Sequence, residues 1–111
     1  MTARPASIVQ AFLRHAENTP EKLCLRFEGE RWSYEGLRGR AETFAAALST
    51  WGLGPGERVA LYSGNSPDFL AAYLGTHLAG GVIVPVNTQY RRGELQHIFE
   101  DAGVRLCFTD E

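Results

Sequence analysis

Residues 58–87 read RVALYSGNSPDFLAAYLGTHLAGGVIVPVN, and this stretch decides the fold. It opens on a short apolar run, Arg58 to Ser63, of strand length. Gly64-Asn65-Ser66 interrupts the run as a loop. Ser66 suits a helix N-cap. Pro67 suits the first helical position, where its missing N–H costs nothing, and Asp68 sets a carboxylate against the positive end of the helix dipole. The helix is expected to run to about Ala79, with Phe69, Leu70, Tyr73, Leu74 and Leu78 on its apolar face, and Gly80-Gly81 stops it. The β-branched run VIVPV at 82–86 has the composition of a strand covered on both faces. Pro85 cannot donate to a ladder, so that strand ends or bulges there.

The flanking segments continue the alternation. After a loop at Asn87 to Tyr90, a helix is predicted at about 91–102 with Leu95, Ile98, Phe99 and Ala102 inward. Gly103 caps it, and VRLCFT at 104–109 forms a last strand. Upstream, a helix over 7–18 is expected from a Ser7/Gln10 capping box and the stripe Ile8, Val9, Phe12, Leu13 and Ala16, ending before Pro20. LCLRFE at 23–28, the short turn Glu28-Gly29-Glu30 and Arg31 to Tyr34 read as a hairpin. Ser33 then N-caps a long helix with Glu35 in its first turn. Its face is Tyr34, Leu37, Ala41, Phe44, Ala45, Leu48 and Trp51. Truncating Phe44 to Ala is expected to cost about 3–5 kcal/mol if the ring is fully buried. Gly52 fits a helix C-cap, and Pro55-Gly56 suits a type II turn. Strands alternating with helices predict an α/β domain: a three-layer Rossmann-like subdomain with a mostly parallel sheet, right-handed crossovers, helices on both faces and an N-terminal β-hairpin.

Composition agrees with one such unit. The chain has 111 residues, 44% hydrophobic and 22% charged, values that argue against disorder. Its net charge of -2 and scattered arginines give no electrostatic footprint for nucleic acid. Cys24 and Cys107 lie in apolar runs. One disulfide is arithmetically possible, and two buried thiols in a reducing compartment are expected. The N-terminal residues lack the apolar core of a secretory signal, and no stretch approaches the ~20 apolar residues that span a bilayer. A cytoplasmic location is therefore expected.

Residues that could carry chemistry are sparse. Gly52, Gly54 and Gly56 follow a helix and open a strand, the reverse of a dinucleotide fingerprint, and so read as a cap and a turn. No phosphate-loop segment exists, and Lys22 is the single lysine. The loop Gly64 to Pro67 could seat an anion at a helix start, although Pro67 removes one N–H; ordinary capping explains the same residues. His15, His77 and His97 have no Cys, Asp or Glu placed for a triad or metal site; pairs such as His97 with Glu94 or Asp101 are surface contacts. Ser33 and Ser66 are accounted for as caps, and neither lies in a nucleophile elbow.

Taken in order, several segments resemble the N-terminal portion of the AMP-forming acyl-CoA synthetase family, the adenylate-forming superfamily that also holds nonribosomal adenylation domains and firefly-type luciferases. A helix precedes Asn18-Thr19-Pro20-Glu21-Lys22. Trp32-Ser33-Tyr34-Glu35-Gly36-Leu37 looks like the family's (T/S)-Y-x-E-L element, with Gly36 at the usual acidic position. Then come Gly52 to Ala60 (GLGPGERVA) and Asn65-Ser66-Pro67-Asp68-Phe69. Leu78 to Asn87 (LAGGVIVPVN) looks like A-G-x-x-x-x-P-x-N, and Arg92-Gly93-Glu94-Leu95 precedes the last strand.

The resemblance implies a two-step reaction of the full-length protein. ATP, with Mg²⁺, and a carboxylic or fatty acid give an acyl-adenylate and pyrophosphate; the thiol of coenzyme A then displaces AMP. It also implies that residues 1–111 are one α/β domain, the first portion of an AMP-binding domain that continues beyond Glu111 and packs on the remainder of the same polypeptide. The phosphate loop, the adenine and ribose motifs and the catalytic lysine of the family are missing. Residues 1–111 alone are therefore expected to be inactive, with no catalytic or metal-binding residue and no bound cofactor. Asn87, Thr88 and Gln89 follow the P-x-N element at a strand's carboxyl end. By resemblance they approach the coenzyme A route; alternatively Asn87 only shapes the turn. Two other functions stay open: a superfamily member that loads a carrier protein or acts like a luciferase, and a free-standing, non-enzymatic interaction module.

Overall fold

The structure is a computed structural model and describes residues 8–109; Ser7, the expected first cap, lies outside them. In chain order the elements are α1 (Ile8–Asn18), β1 (Leu23–Phe27), β2 (Glu30–Ser33), α2 (Tyr34–Thr50), β3 (Arg58–Tyr62), α3 (Pro67–Leu78), β4 (Val82–Pro85), α4 (Arg92–Ala102) and β5 (Val104–Thr109). β1 and β2 form an antiparallel hairpin. Its turn is tighter than the three residues expected. Glu28 and Gly29 both take positive φ, 50° and 86°, leaving Glu30 in the strand. This left-handed pair matches the right-handed twist of the two strands.

The other three strands form a parallel sheet in the order β4-β3-β5. The chain steps from β3 to β4 on one side, then crosses past β3 to β5 on the other. With right-handed crossovers, these opposite steps put α3 and α4 on opposite faces. The architecture is thus α/β, with helices on both faces of the sheet and a separate hairpin.

Local chemistry sets most of the boundaries. The Ser33 hydroxyl accepts from the Gly36 N–H at 3.0 Å, and the Ser66 hydroxyl from Phe69 N–H at 3.0 Å. α2 ends in a Schellman motif: Gly52 takes φ 87°, its N–H donates to Ser49 O, and Leu53 N–H reaches back to Leu48 O. The turn that follows has Gly56 at φ 77° and a Glu57 N–H to Gly54 O bond, as a type II turn requires. The Glu57 carboxylate adds a second tie, accepting from Gly54 N–H at 2.7 Å. β4 spans Val82–Pro85, and Pro85 is tolerated because its position faces away from β3, the next ladder bond being Val86 N–H to Leu61 O.

Most of the core lies on one side of the sheet; Ala60, on the other face of β3, is also fully buried. Val59 and Leu61 of β3, with Leu48, Leu53 and Ala72, form one buried cluster. Val9, Phe12, Ala16, Leu37, Ala41, Ala71 and Leu74 form a second, where α1, α2 and α3 meet. α3 departs from its expected apolar face. Its fully buried positions include Ala71, Ala72, Leu74, Gly75 and Thr76, while Phe69, Leu70, Tyr73 and Leu78 are half-buried rims. Close approach selects small residues. A Cβ on Gly75 would lie 2.7 Å from Ala41 O and 2.9 Å from Phe44 Cβ, so α2 and α3 touch there with no room for a methyl group. Thr76 tolerates full burial because its hydroxyl donates to Ala72 O at 2.7 Å.

Other expectations shift for related reasons. Ile8 and Trp51, at helix ends, are 72% and 62% exposed. Phe44 is half-buried, its ring edge-on to Phe108 at 5.5 Å, so its truncation costs less than the full-burial figure. β4 is an edge strand with Val82 46% exposed, not a strand covered on both faces. No residue of α4 is fully buried. Cys24 is half-buried and Cys107 exposed, and both are free thiols. No helix among the described residues is long and apolar enough to cross a membrane.

Two glycine substitutions check the helix–helix contact. Gly75→Ala is expected to destabilise by about 1–3 kcal/mol, because backbone must move. Gly39→Ala, in α2 with nothing within 4 Å of the new Cβ, is expected to stabilise by about 0.5–1 kcal/mol. Urea titration monitored by far-UV circular dichroism distinguishes the opposite signs.

Candidate functional site

In an open parallel sheet, ligands gather where adjacent strands send their connections to opposite faces, outside the carboxyl ends. Here β3 and β4 are adjacent, and their connections lead to α3 and α4. The crevice between the 63–66 and 86–91 loops is therefore the place to look. Both loops are built from short, locally satisfied turns. Ser63 is 8% exposed, and its hydroxyl donates to Gly64 O. Val86 is buried, and its N–H donates to Leu61 O, extending the β3–β4 ladder one residue past Pro85.

Asn87, Thr88 and Gln89 come together as one tight turn. The Asn87 side-chain oxygen accepts from Gln89 N–H at 2.8 Å, and its carbonyl accepts from Tyr90 N–H at 3.0 Å. Asn87 thus shapes the turn, the simpler of its two expected roles. Thr88 and Gln89 are exposed at the tip. Arg91 and Arg92, both exposed, follow at once. Glu94 locks the next helix by accepting from Arg91 N–H at 3.1 Å.

The residue that sequence reasoning missed is Tyr62, the last residue of β3. Its hydroxyl donates to Tyr90 O at 2.8 Å and lies 3.3 Å from Thr88 O. Nothing in its spacing separated it from the core-strand apolar residues. A phenol at a strand's carboxyl end, where Leu would pack equally well, is the one available signal.

The other candidates are accounted for structurally. At the start of α3, Phe69 N–H bonds the Ser66 hydroxyl, Leu70 N–H bonds Ser66 O, and Pro67 has no N–H. The Asp68 carboxylate stands there too, paired with Arg40, whose guanidinium lies 5.4 Å from the Trp32 ring centroid. A cleft of about 340 Å³ runs from this pair to the hairpin turn at Glu28. An anion at this helix start would face a carboxylate. His15 stacks on Tyr34, and His97 pairs with Asp101 at 3.1 Å on the exposed face of α4. Desolvation by neighbouring atoms raises both thiols above the usual thiol range, even at Cys107, which is exposed as a whole residue, and a Tyr34 hydrogen bond opposes it at Cys24, so neither is an activated nucleophile. Among the described residues no group of three His, Cys, Asp or Glu is placed to hold a metal ion.

Comparison with known proteins places this geometry. The family of AMP-binding enzymes matches residues 12–111. A fatty acid–[acyl-carrier-protein] ligase of Streptomyces coeruleorubidus is 34% identical over 105 residues, covering 95% of this chain and 20% of the ligase. A 3-[(3aS,4S,7aS)-7a-methyl-1,5-dioxo-octahydro-1H-inden-4-yl]propanoyl:CoA ligase of Rhodococcus jostii is 36% identical over 100 residues, covering 90% of this chain and 19% of the ligase. Among solved structures, an artificially fused adenylation–PCP di-domain protein from Klebsiella oxytoca superposes with a TM-score of 0.87 at 25% identity, over 95% of this chain and 20% of that one. The chain spans about a fifth of each of these proteins. Its helix–hairpin–helix start, its three-stranded parallel sheet and its match over nearly the whole length assign it to the AMP-binding enzyme family.

Proposed function

We propose that residues 1–111 are the first α/β subdomain of an AMP-forming acid–thiol ligase whose chain continues beyond Glu111, and that coenzyme A is its thiol acceptor. In the full-length protein a carboxylic acid and ATP would give an acyl-adenylate and pyrophosphate, and the thiol would then displace AMP. The observation that carries the reading is the turn at the β3/β4 crevice. It presents Thr88 and Gln89 as exposed hydrogen-bonding side chains beside Arg91 and Arg92. Guanidinium groups suit phosphate oxygens, and Thr and Gln suit amides, so this edge matches a phosphate-bearing amide chain that ends in a thiol.

The family's ATP and Mg²⁺ find no such match within the described residues. No metal-binding group of side chains exists among them, and the α3 start carries a carboxylate where a phosphate would need donors. Stabilising a transferring phosphoryl group takes convergent cationic and N–H donors. The adenylation step is accordingly assigned to the remainder of the polypeptide.

The subdomain's own part is scaffolding. Its second sheet face and its β5 edge support the proposed continuation. α4 carries no fully buried residue, and β5 is an edge strand. Beside it, Phe44, Leu48, Trp51, Leu106 and Phe108 line an apolar groove of about 320 Å³. A second reading, loading of a carrier protein, is favoured by likeness to the acyl-carrier-protein ligase and to the adenylation–PCP protein. Both acceptors test the same edge of the sheet.

Two outcomes are expected. The isolated 111-residue chain gives no acid-dependent ATP–pyrophosphate exchange, whereas the full-length protein does; exchange by the isolated chain overturns the division of labour. In the full-length protein, Thr88→Ala with Gln89→Ala raises the KM for coenzyme A about 2- to 100-fold, the range of one or two lost hydrogen bonds, and leaves the exchange rate unchanged. An unchanged KM for coenzyme A removes the loop from the thiol route. Thioester formation with a carrier protein and none with coenzyme A selects the second reading.

A further inference from the structure

The turn at 87–90 is short, exposed and held largely by its own atoms. Asn87 supplies two of its bonds, to Gln89 N–H and Tyr90 N–H. Arg91, the next residue along, reaches Gln89 O and Tyr90 O only at 3.4 and 3.5 Å. Such local bonds shape a turn but do not fix where it sits relative to the sheet. Val86 N–H to Leu61 O ties the start of the turn to β3; past that point the bonds to the sheet come from Tyr62, 28 residues before Tyr90 in sequence. Its hydroxyl crosses the β3/β4 crevice to the carbonyls of Thr88 and Tyr90, at 3.3 and 2.8 Å. Tyr62 is well placed to act as a strut. It ends the central strand, flanked by ladders on both sides, Leu61 pairing with Pro85 and with Phe108. A phenol has two side-chain torsions, so a packed ring sets its hydroxyl with little freedom to spare.

We propose that Tyr62 is a positioning residue for the thiol step: its hydroxyl holds the 87–90 turn against the end of β3 and so sets the place of Thr88 and Gln89. This rests on the reading that the turn lies on the coenzyme A route. The strut acts through the turn, so it affects acceptance of the thiol and not formation of the adenylate. Conversion of Tyr62 to Phe keeps the ring and its packing and removes only the two contacts to the turn.

The test uses the full-length protein with Tyr62→Phe and two readouts: steady-state kinetics of both half-reactions, and amide hydrogen exchange of Gln89 and Tyr90. The KM for coenzyme A is expected to rise about 2- to 10-fold, the factor that one lost hydrogen bond corresponds to. The two amides are expected to exchange faster, and acid-dependent ATP–pyrophosphate exchange to stay at the parent rate. Unchanged amide exchange overturns the proposal, since the hydroxyl then does not hold the turn. An equal loss in both half-reactions overturns it by showing a general packing role. Faster amide exchange with an unchanged KM also overturns it, and the Thr88→Ala, Gln89→Ala protein then shows which premise failed. If that protein has a raised KM, the loop reading stands and Tyr62 alone is excluded; if its KM is unchanged, the loop reading itself has failed.

Discussion

Gly75 of α3 lies against the backbone carbonyl of Ala41 in α2, and much of the structure follows from that contact. A methyl group in place of the Gly75 hydrogen would come within 2.7 Å of the carbonyl oxygen. With the two helices this close, Leu37, Ala41, Ala71 and Leu74 become nearly inaccessible, and α1 closes the cluster with Val9, Phe12 and Ala16. On its other side the same helix pair covers β3, through Leu48 and Ala72 against Val59 and Leu61. Interiors are packed densely enough that such a contact behaves as a fixed distance and not a soft one. The start of α3 is thereby set relative to the end of β3, and the β3/β4 crevice inherits its geometry.

The burial is uneven, although Ala60 of β3 is fully buried on the less covered face. Facing α2 and α3, the sheet is covered; on the opposite side α4 contributes half-buried residues and none that is fully enclosed. β5 shows strict alternation of half-buried and exposed residues, as a strand with one covered face does. Among the described residues nothing pairs with the outer edges of β4 and β5 in the parallel sheet. Open edges and half-covered faces are liabilities in a free-standing domain and ordinary features of a piece within a larger one. This supports the scaffold reading over an independent interaction module.

Much of this was legible in the residues. Ser66-Pro67-Asp68 and Gly80-Gly81 bracket α3 because capping chemistry is local, and Ser33, Gly52, Gly56 and Gly103 mark boundaries for the same reason. The hairpin was legible as well, although the tightness of its turn came from Glu28 accepting a left-handed backbone. Long-range features were less so. Periodicity placed Trp51 on the apolar stripe of α2, but it cannot tell where the neighbouring helix ends. β-branched composition marked Val82 to Val86 as a strand, but whether a strand is central or at an edge depends on sheet order. Large side chains drew attention on α3, while the closest contact belongs to glycine and alanine, whose smallness is informative only once a partner is known. At the candidate site the turn around Asn87 was visible as a motif. The Tyr62 strut was not, because its two ends are 28 residues apart in sequence.

The central claim is that a rigid helical layer organises this segment while its second sheet face waits for the rest of a longer chain. Native-state amide hydrogen exchange, compared between residues 1–111 alone and the full-length protein, tests it most directly. Amides in α2, α3 and β3 should open only with global unfolding in both proteins. Those of α4 and β5 should exchange through low-energy local openings in the short chain and gain protection in the long one. Equal protection of α4 and α3 in the isolated segment, unchanged in the full-length protein, would contradict the account.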